Sequence, residues 1–208
     1  MPKLVDHEER RAELARAVWR VAAREGVEAL TVRRVAAEAG WSTGALVHYF
    51  RDKEELILFA FETTVDRVGR RLRAAAERAD DPLDLARALL VEGLPLDAER
   101  RAEVRVWFAV LGLALTRPAL ARAERVAYRA WRGRLAATLR EAQERGSLDP
   151  ELDCDREAAA LVALVDGLAV QGTFEPRTLP GDRLLELVDE RLARLRSRSP
   201  APRASVGA

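Results

Sequence analysis

One cysteine, Cys154, stands in 208 residues, which excludes an intrachain disulfide and suits a reducing compartment. Histidine is nearly as scarce. His7 and His48 are the only two, and no Cys or His set has metal-ligand spacing, so no metal is expected. Neither sign of charge is in surplus: 35 basic residues face 34 acidic ones, a net of +1 that argues neither for nor against nucleic acid. Any basic surface must come from placement, and it must be built from arginine, because Lys3 and Lys53 are the only lysines. A Gly-rich phosphate loop is missing, as is any Ser, His and acid arrangement that the fold would assemble, so neither an enzyme nor a cofactor is expected. The opening "MPKLVDHEERRAEL" has no apolar signal core and no apolar stretch reaches spanning length, which predicts a soluble, cytoplasmic chain with no membrane partner. In "DCD" around Cys154 a soft metal or an oxidant could act, but two neighbouring acids do not activate a lone thiol.

What remains is apolar and charged in helical order. Hydrophobic residues make up 49% of the chain and charged ones 33%, enough for a sizeable core under a soluble surface. Apolar positions recur at three and four, alternation is absent, and Gly or Pro falls at the breaks, so the fold expected is all-α with about nine helices. The first helix is expected to be capped by Asp6 with Glu9 reaching back, to carry a stripe of Leu14, Val18, Val21 and Ala22, and to end at Gly26. Thr31 caps a short helix "VRRVAAEA" stopped by Gly40. Ser42 caps a third, with Trp41 and Leu46 as a hydrophobic staple, and Asp52 with Glu55 opens a fourth running to near Arg78. Longer helices follow Pro82, span roughly 98–116, run from Pro118 to Arg145 before Gly146, and occupy about 155–173 and 181–196. These divide the chain into a trihelical unit over residues 1–52 and a helical domain over 53–196. The 197–208 tail has no apolar pattern and is expected to be disordered; its arginines suit a solvated tail or a weak hold on DNA.

A helix, a tight Gly turn and a second helix form the pattern whose second helix enters a major groove. In "TGALVHYF", Leu46 and Phe50 lie four apart and face inward, because so short a helix cannot stand alone. That turns Gly44 and His48 outward, flanked by Ala45 and Val47, with Tyr49 at the boundary. Thr43, His48 and Tyr49 offer short polar groups, Gly44 permits close approach of a backbone, and Lys53 lies in a helix's first turn, where amides favour phosphate. The same geometry also occurs in bundles that never meet DNA.

The stretch "GVEALTVRRVAAEAGWSTGALVHYFRDKEELI" resembles the signature of the tetracycline-repressor (TetR) family of one-component bacterial regulators, with a match over about residues 8 to 58. The resemblance implies that Thr31, Arg33, Thr43, Gly44, Val47, His48, Tyr49 and Lys53 meet a double-stranded DNA operator. Tyr49 and Lys53 would clamp phosphates, while Arg33, Thr43 and the outer face of the third helix would read bases. Members often carry an aromatic where this chain has Val47, which would exchange a polar contact for an apolar one to a thymine methyl.

The stretch from Arg134 to Phe174 is similar to the C-terminal domain of the choline-responsive, BetI-like branch of that family. The resemblance implies a homodimer joined through the last two helices, for which Leu161, Leu164, Val165 and Leu168 supply an apolar face and Gly167 allows close approach; the same face also suits intramolecular core. It implies further a cavity in the 53–196 domain for a small-molecule inducer. Phe61, Trp107, Phe108 and Leu111, with Tyr128 and Trp131 on a neighbouring helix, would line it and could hold a flat apolar ligand or a cation; each also fits ordinary core. Asp166 and Gln171 are polar groups in an apolar helix, where burial demands a partner.

Two readings therefore stand. The first is a repressor that binds a palindromic operator as a homodimer, sits on the nucleoid when bound, and is released by a ligand. The second is a helical ligand- or protein-binding module with an inactive DNA head, conceivable because residues 1–53 hold ten basic and eight acidic groups, a net of only +2.

Overall fold

The structure, a computed structural model, describes residues 2–196, with side chains from Glu9 onward. The tail reading and any role of His7 fall outside the described side chains. Helix α1 spans Pro2–Glu25. It already runs through Asp6, so the start expected there is corrected. Its inward stripe of Leu14, Ala17, Val18 and Val21 is almost wholly removed from solvent, and Gly26 ends it in the left-handed region at φ 86°. A 3-10 turn at Val27–Ala29 leads to α2, Val32–Ala39, where the Thr31 hydroxyl accepts from Arg34 N at 3.1 Å. Gly40 closes it at φ 72°.

Helix α3, Thr43–Val47, is shorter than the periodicity predicts. Ser42 Oγ accepts from Ala45 N at 3.2 Å, and the chain tightens after Val47, with Tyr49 N bonded to Leu46 O at 2.9 Å. That tightening lets Phe50 drop into the core against Phe59, ring centroids 5.3 Å apart. Trp41, expected to staple onto Leu46, is half-buried at the edge of the core against Tyr49 at 5.7 Å. Helix α4, Lys53–Ala76, opens on Asp52, whose carboxylate accepts from Glu55 N at 2.9 Å. The Glu55 carboxylate reaches back to Arg51 N at 2.7 Å.

Five helices complete the described chain: α5 (Pro82–Val91), α6 (Ala98–Ala114), α7 (Pro118–Glu144), α8 (Cys154–Phe174) and α9 (Gly181–Ala193). Asp81, Asp97 and Asp153 cap α5, α6 and α8, each accepting a backbone N–H. Two apolar clusters result. One joins α1, α2, α3 and the first half of α4 to Ala102, Val106 and Val110 of α6; the other joins α5, α7, α8 and α9. Helix α6 thus lies against the N-terminal unit while belonging to the larger bundle.

Helix α8 corrects two expectations. Its 21 residues are long and apolar enough to cross a membrane, although no such stretch was expected. Leu161, Val165 and Leu168, expected to face a partner, are 1%, 1% and 6% exposed inside the protomer's own second cluster. A helix apolar on every side gives no sign of which face is inward. The outward face carries Ala160, Ala163 and Val170, with Leu164 and Gly167 at its margin and Phe174 78% exposed.

Candidate DNA-reading surface and ligand cavity

In α3 the positions that repeat with Leu46 and Phe50 are taken by the core, so Thr43, Gly44, Val47 and His48 are left in solvent, Val47 at 55% exposure. Gly44 has open space where a Cβ would stand, so packing within the protein does not demand glycine there. Tyr49 is half-buried beside Trp41. Thr31 and Arg33 are exposed at the start of α2. Lys53 is exposed as well but engaged: its ammonium donates to Glu28 O at 2.9 Å and to the Glu28 carboxylate at 2.8 Å, which holds that carboxyl below its usual range. A phosphate meeting Lys53 must compete with Glu28.

A cluster that the sequence reading missed bridges α2 and the end of α1. The Glu38 carboxylate accepts from Arg20 at 2.7 Å, Arg24 at 2.9 Å and Arg34 at 3.1 Å, while Glu25 accepts from Arg34 at 2.6 Å. These hydrogen bonds hold both carboxyls at about 2. Three basic and two acidic side chains are thereby spent within the unit, which leaves Arg33 outside the cluster's hydrogen bonds.

In the larger domain a cavity of about 230 Å³ opens between α4, α5, α6, α7 and α8. Trp107, Phe108, Trp131 and Asp166 line it; Gly93, Arg134, Thr64 and Val68 join them, unforeseen because they come from parts of the chain far apart in sequence. Phe61 does not reach it: that ring is buried one layer behind, 5.2 Å from Trp107. Leu111 is half-buried outside the lining, and Gln171 is exposed on the far side of α8. Tyr128 borders the cavity rather than lining it. Its ring meets Trp107 edge-on at 5.4 Å and Trp131 nearly parallel at 6.4 Å, and its hydroxyl donates to Asp166 at 2.9 Å. Burial pushes the Tyr128 hydroxyl and the Asp166 carboxyl up, and the hydrogen bond between them offsets part of the rise at Asp166.

The opposite wall is ionic. Arg71 donates to Glu92 at 2.7 Å and to Glu103 at 2.9 Å; Arg100 donates to Glu92 at 2.5 Å. Glu103, 4% exposed, also meets Arg67 at 3.6 Å, and the Arg67 guanidinium covers the Trp19 ring of α1 at 4.6 Å. One chain of contacts therefore runs from a cavity-lining carboxylate to the first helix. Cys154 is remote from this site, buried, with its thiol pushed up by burial, which is not the environment of a reactive thiolate.

Comparisons with known proteins cover both parts. Residues 14–59 match the model of bacterial regulatory proteins of the tetR family, and residues 82–197 match that of the BetI-type transcriptional repressor C-terminal domain. The HTH-type transcriptional regulator PksA of Bacillus subtilis (strain 168) is 36% identical over 188 residues, 90% of either chain. The regulator BetI 1 of Chromohalobacter salexigens is 28% identical over 205 residues, 96% of this chain and 98% of its own. Among solved structures, a transcriptional regulator from Rhodococcus sp. Rha1 is 35% identical with a TM-score of 0.76, over 91% of this chain and 99% of that one. A transcriptional regulator from Saccharomonospora viridis, solved in complex with choline, is 26% identical with a TM-score of 0.83, over 92% of this chain and 100% of that one. The chain belongs to the TetR family of helix-turn-helix, DNA-binding bacterial transcriptional regulators and carries a BetI-type C-terminal domain.

Proposed function

We propose that the protein is a homodimeric repressor that grips a palindromic operator with residues 1–52 of each protomer and lets go when a small organic cation enters the cavity of the 53–196 domain. The observation that carries the ligand class is Asp166: a half-buried carboxylate at the wall of a cavity walled by Trp107 and Trp131, whose hydrogen bond among the described residues is to Tyr128. Ring faces and one acid attract an ammonium group, and the choline held by the Saccharomonospora viridis relative supports the same class. The DNA contacts would be Thr31, Arg33, Thr43, Gly44, Val47, His48, Tyr49 and Lys53, all of which reach solvent at least in part. Two such heads are needed because one covers a single half-site. The outward face of α8, from Ala160 through Gly167 to Phe174, is the apolar surface that a second copy would cover. Coupling would follow the route from Glu103 through Arg67 to Trp19, by which a cation that displaces the cavity wall moves α1.

Selection of purified protein against a random duplex library at two salt concentrations tests this. An enriched inverted repeat that choline then releases is the expected result. Tyr49→Ala and Lys53→Ala should weaken binding to every sequence, and Lys53→Ala should lower the salt slope by about 1. Enrichment of nothing at either salt would favour the rival, a ligand-binding module with an idle head.

A further inference from the structure

Glu124 plays no part in the scheme above. It sits on α7, three residues before Ala127, which lines the cavity, and four before Tyr128. The side chain is 4% exposed, and among the described residues neither carboxylate oxygen has a hydrogen-bond partner. Glu124 stands behind the lining, and the contrast is with Glu103, a cavity-lining acid that is equally enclosed but held by Arg71 and Arg67. Among the described residues no such cation pairs with Glu124. From α8 it faces the acid Asp166, from its own helix the phenol of Tyr128, and α4 and α6 bring the uncharged Phe61 and Trp107 to the same aromatic layer. Arg132, exposed over the Tyr128 ring at 5.6 Å, acts on Asp166 and not on Glu124. Arg134 enters the cavity ten residues further along α7, about 15 Å away along the axis.

A buried carboxylate is tolerated when it is neutral or when a cation reaches it. We propose that Glu124 is a second acidic ligand of the cavity beside Asp166, and that the occupant carries two ammonium groups: a diamine rather than a monocation. On entry the Glu124 carboxylic acid gives its proton to solvent and the second ammonium takes its place, so the local charge is conserved. The loss of water around Glu124 and the nearness of Asp166 hold the empty site's carboxyl at about 7, which makes that proton available near neutrality. The proposal rests on the cation reading given above and narrows it.

Calorimetric titration of the full-length protein with 1,4-diaminobutane and with choline, at about pH 6 in two buffers of different protonation enthalpy, separates the two. Diamine binding should release about one proton per site in the wild type and almost none in Glu124→Gln, which should also bind the diamine about tenfold more weakly. Choline should bind both proteins alike and release no proton from either. Equal diamine affinity and equal proton release in the two proteins, with choline still bound, would overturn the role of Glu124 and leave the cation reading standing. If neither compound binds, the cation reading falls and the second carboxylate falls with it. A ligand-free measurement is independent of both: the Glu124 carboxyl, followed by carbon-13 NMR, should titrate near 7, and titration near its ordinary 4.5 would refute an unpaired buried acid.

Discussion

In the head, the Glu38 carboxylate accepts from three arginines; beside the cavity, Glu124 accepts from nothing. Both acids lie at the side of an α-helix, and both were placed by the same kind of amphipathic pattern. The difference is what each region is for. A unit that must present a fixed surface to a rigid duplex gains from having its internal polar groups matched, because matched groups specify one geometry. A region that must change when a ligand arrives gains from groups left unmatched, because only an interaction made better in one state than the other can shift a population. The head is finished without its partner. The cavity is not.

The largest test of this contrast lies in the head's core. Leu46 is fully buried, and Leu46→Ala should cost about 2–5 kcal/mol by opening a cavity under α3. Operator binding should be lost while choline binding in the distant cavity survives, as read by DNA titration and calorimetry on the same sample. Loss of both together would mean that the two regions unfold as one cooperative body, coupled through α6, which packs on α1 of the head and on α7 of the larger bundle.

Next comes Glu124→Gln read as stability. The folded-state carboxyl titrates near 7 against 4.5 for the unfolded chain, so the native state holds its proton longer. Stability should therefore fall as pH rises from about 4.5 through about 7, and the wild type should lose about 3 kcal/mol across that window. The amide cannot ionise. Glu124→Gln should match the wild type near pH 5 and exceed it by that amount near pH 8, in denaturant melts at both pH values. A constant difference between the two proteins at every pH would mean that the carboxylate is hydrated or paired after all.

How much of this was legible follows the range of the interactions. Thr31, Ser42 and Asp52 are caps that act three residues ahead, and Gly26, Gly40 and Gly146 stop helices at their own positions, all at positive φ. Such signals are complete within a few residues, and nearly every helix of the described chain was placed from them. The partners of Arg71 lie 21 and 32 residues away, and those of Tyr128 and Arg87 lie 38 and 102 away. No local pattern carries them. Leu161, Val165 and Leu168 were read as facing a partner because α8 is apolar on both sides and period alone cannot choose. Glu124 is a different kind of miss. It falls in register with Leu120, Tyr128 and Leu135 at spacings of four and seven, so an acid stood on an inward stripe in plain view.

Two glycines sharpen the comparison within the head. Gly40 sits at φ 72°, and Gly40→Ala should cost about 1–2 kcal/mol in strain. Gly44 is helical with open space around its missing Cβ, so Gly44→Ala should leave stability unchanged or raise it by up to about 1 kcal/mol. If Gly44 is glycine for the sake of a DNA backbone, that more stable variant should bind the operator more weakly. Operator affinity that held or improved in Gly44→Ala would remove Gly44 from the contact surface.

The smallest effect belongs to the acid that looks best supported. Glu38 is held at about 2 by its three arginines, so its contribution is present above the ordinary 4.5 and disappears as pH falls through about 2. Its partners, however, are half in solvent, Arg24 at 56% and Arg20 at 48% side-chain exposure, and water and salt screen such pairs strongly. Glu38→Gln should lower the melting temperature only slightly at neutral pH in low salt, less in high salt, and not at all once both proteins are melted near pH 2. The Gln side chain can still accept one hydrogen bond, so α2 keeps its seat on α1 and operator specificity should persist. A loss as large as that of Leu46→Ala would mean that the cluster, rather than the core beneath it, fixes the angle between α1 and α2. The matched polar groups of the head would then carry as much of its stability as its apolar residues do, and the contrast with the cavity would rest on energy as well as on geometry.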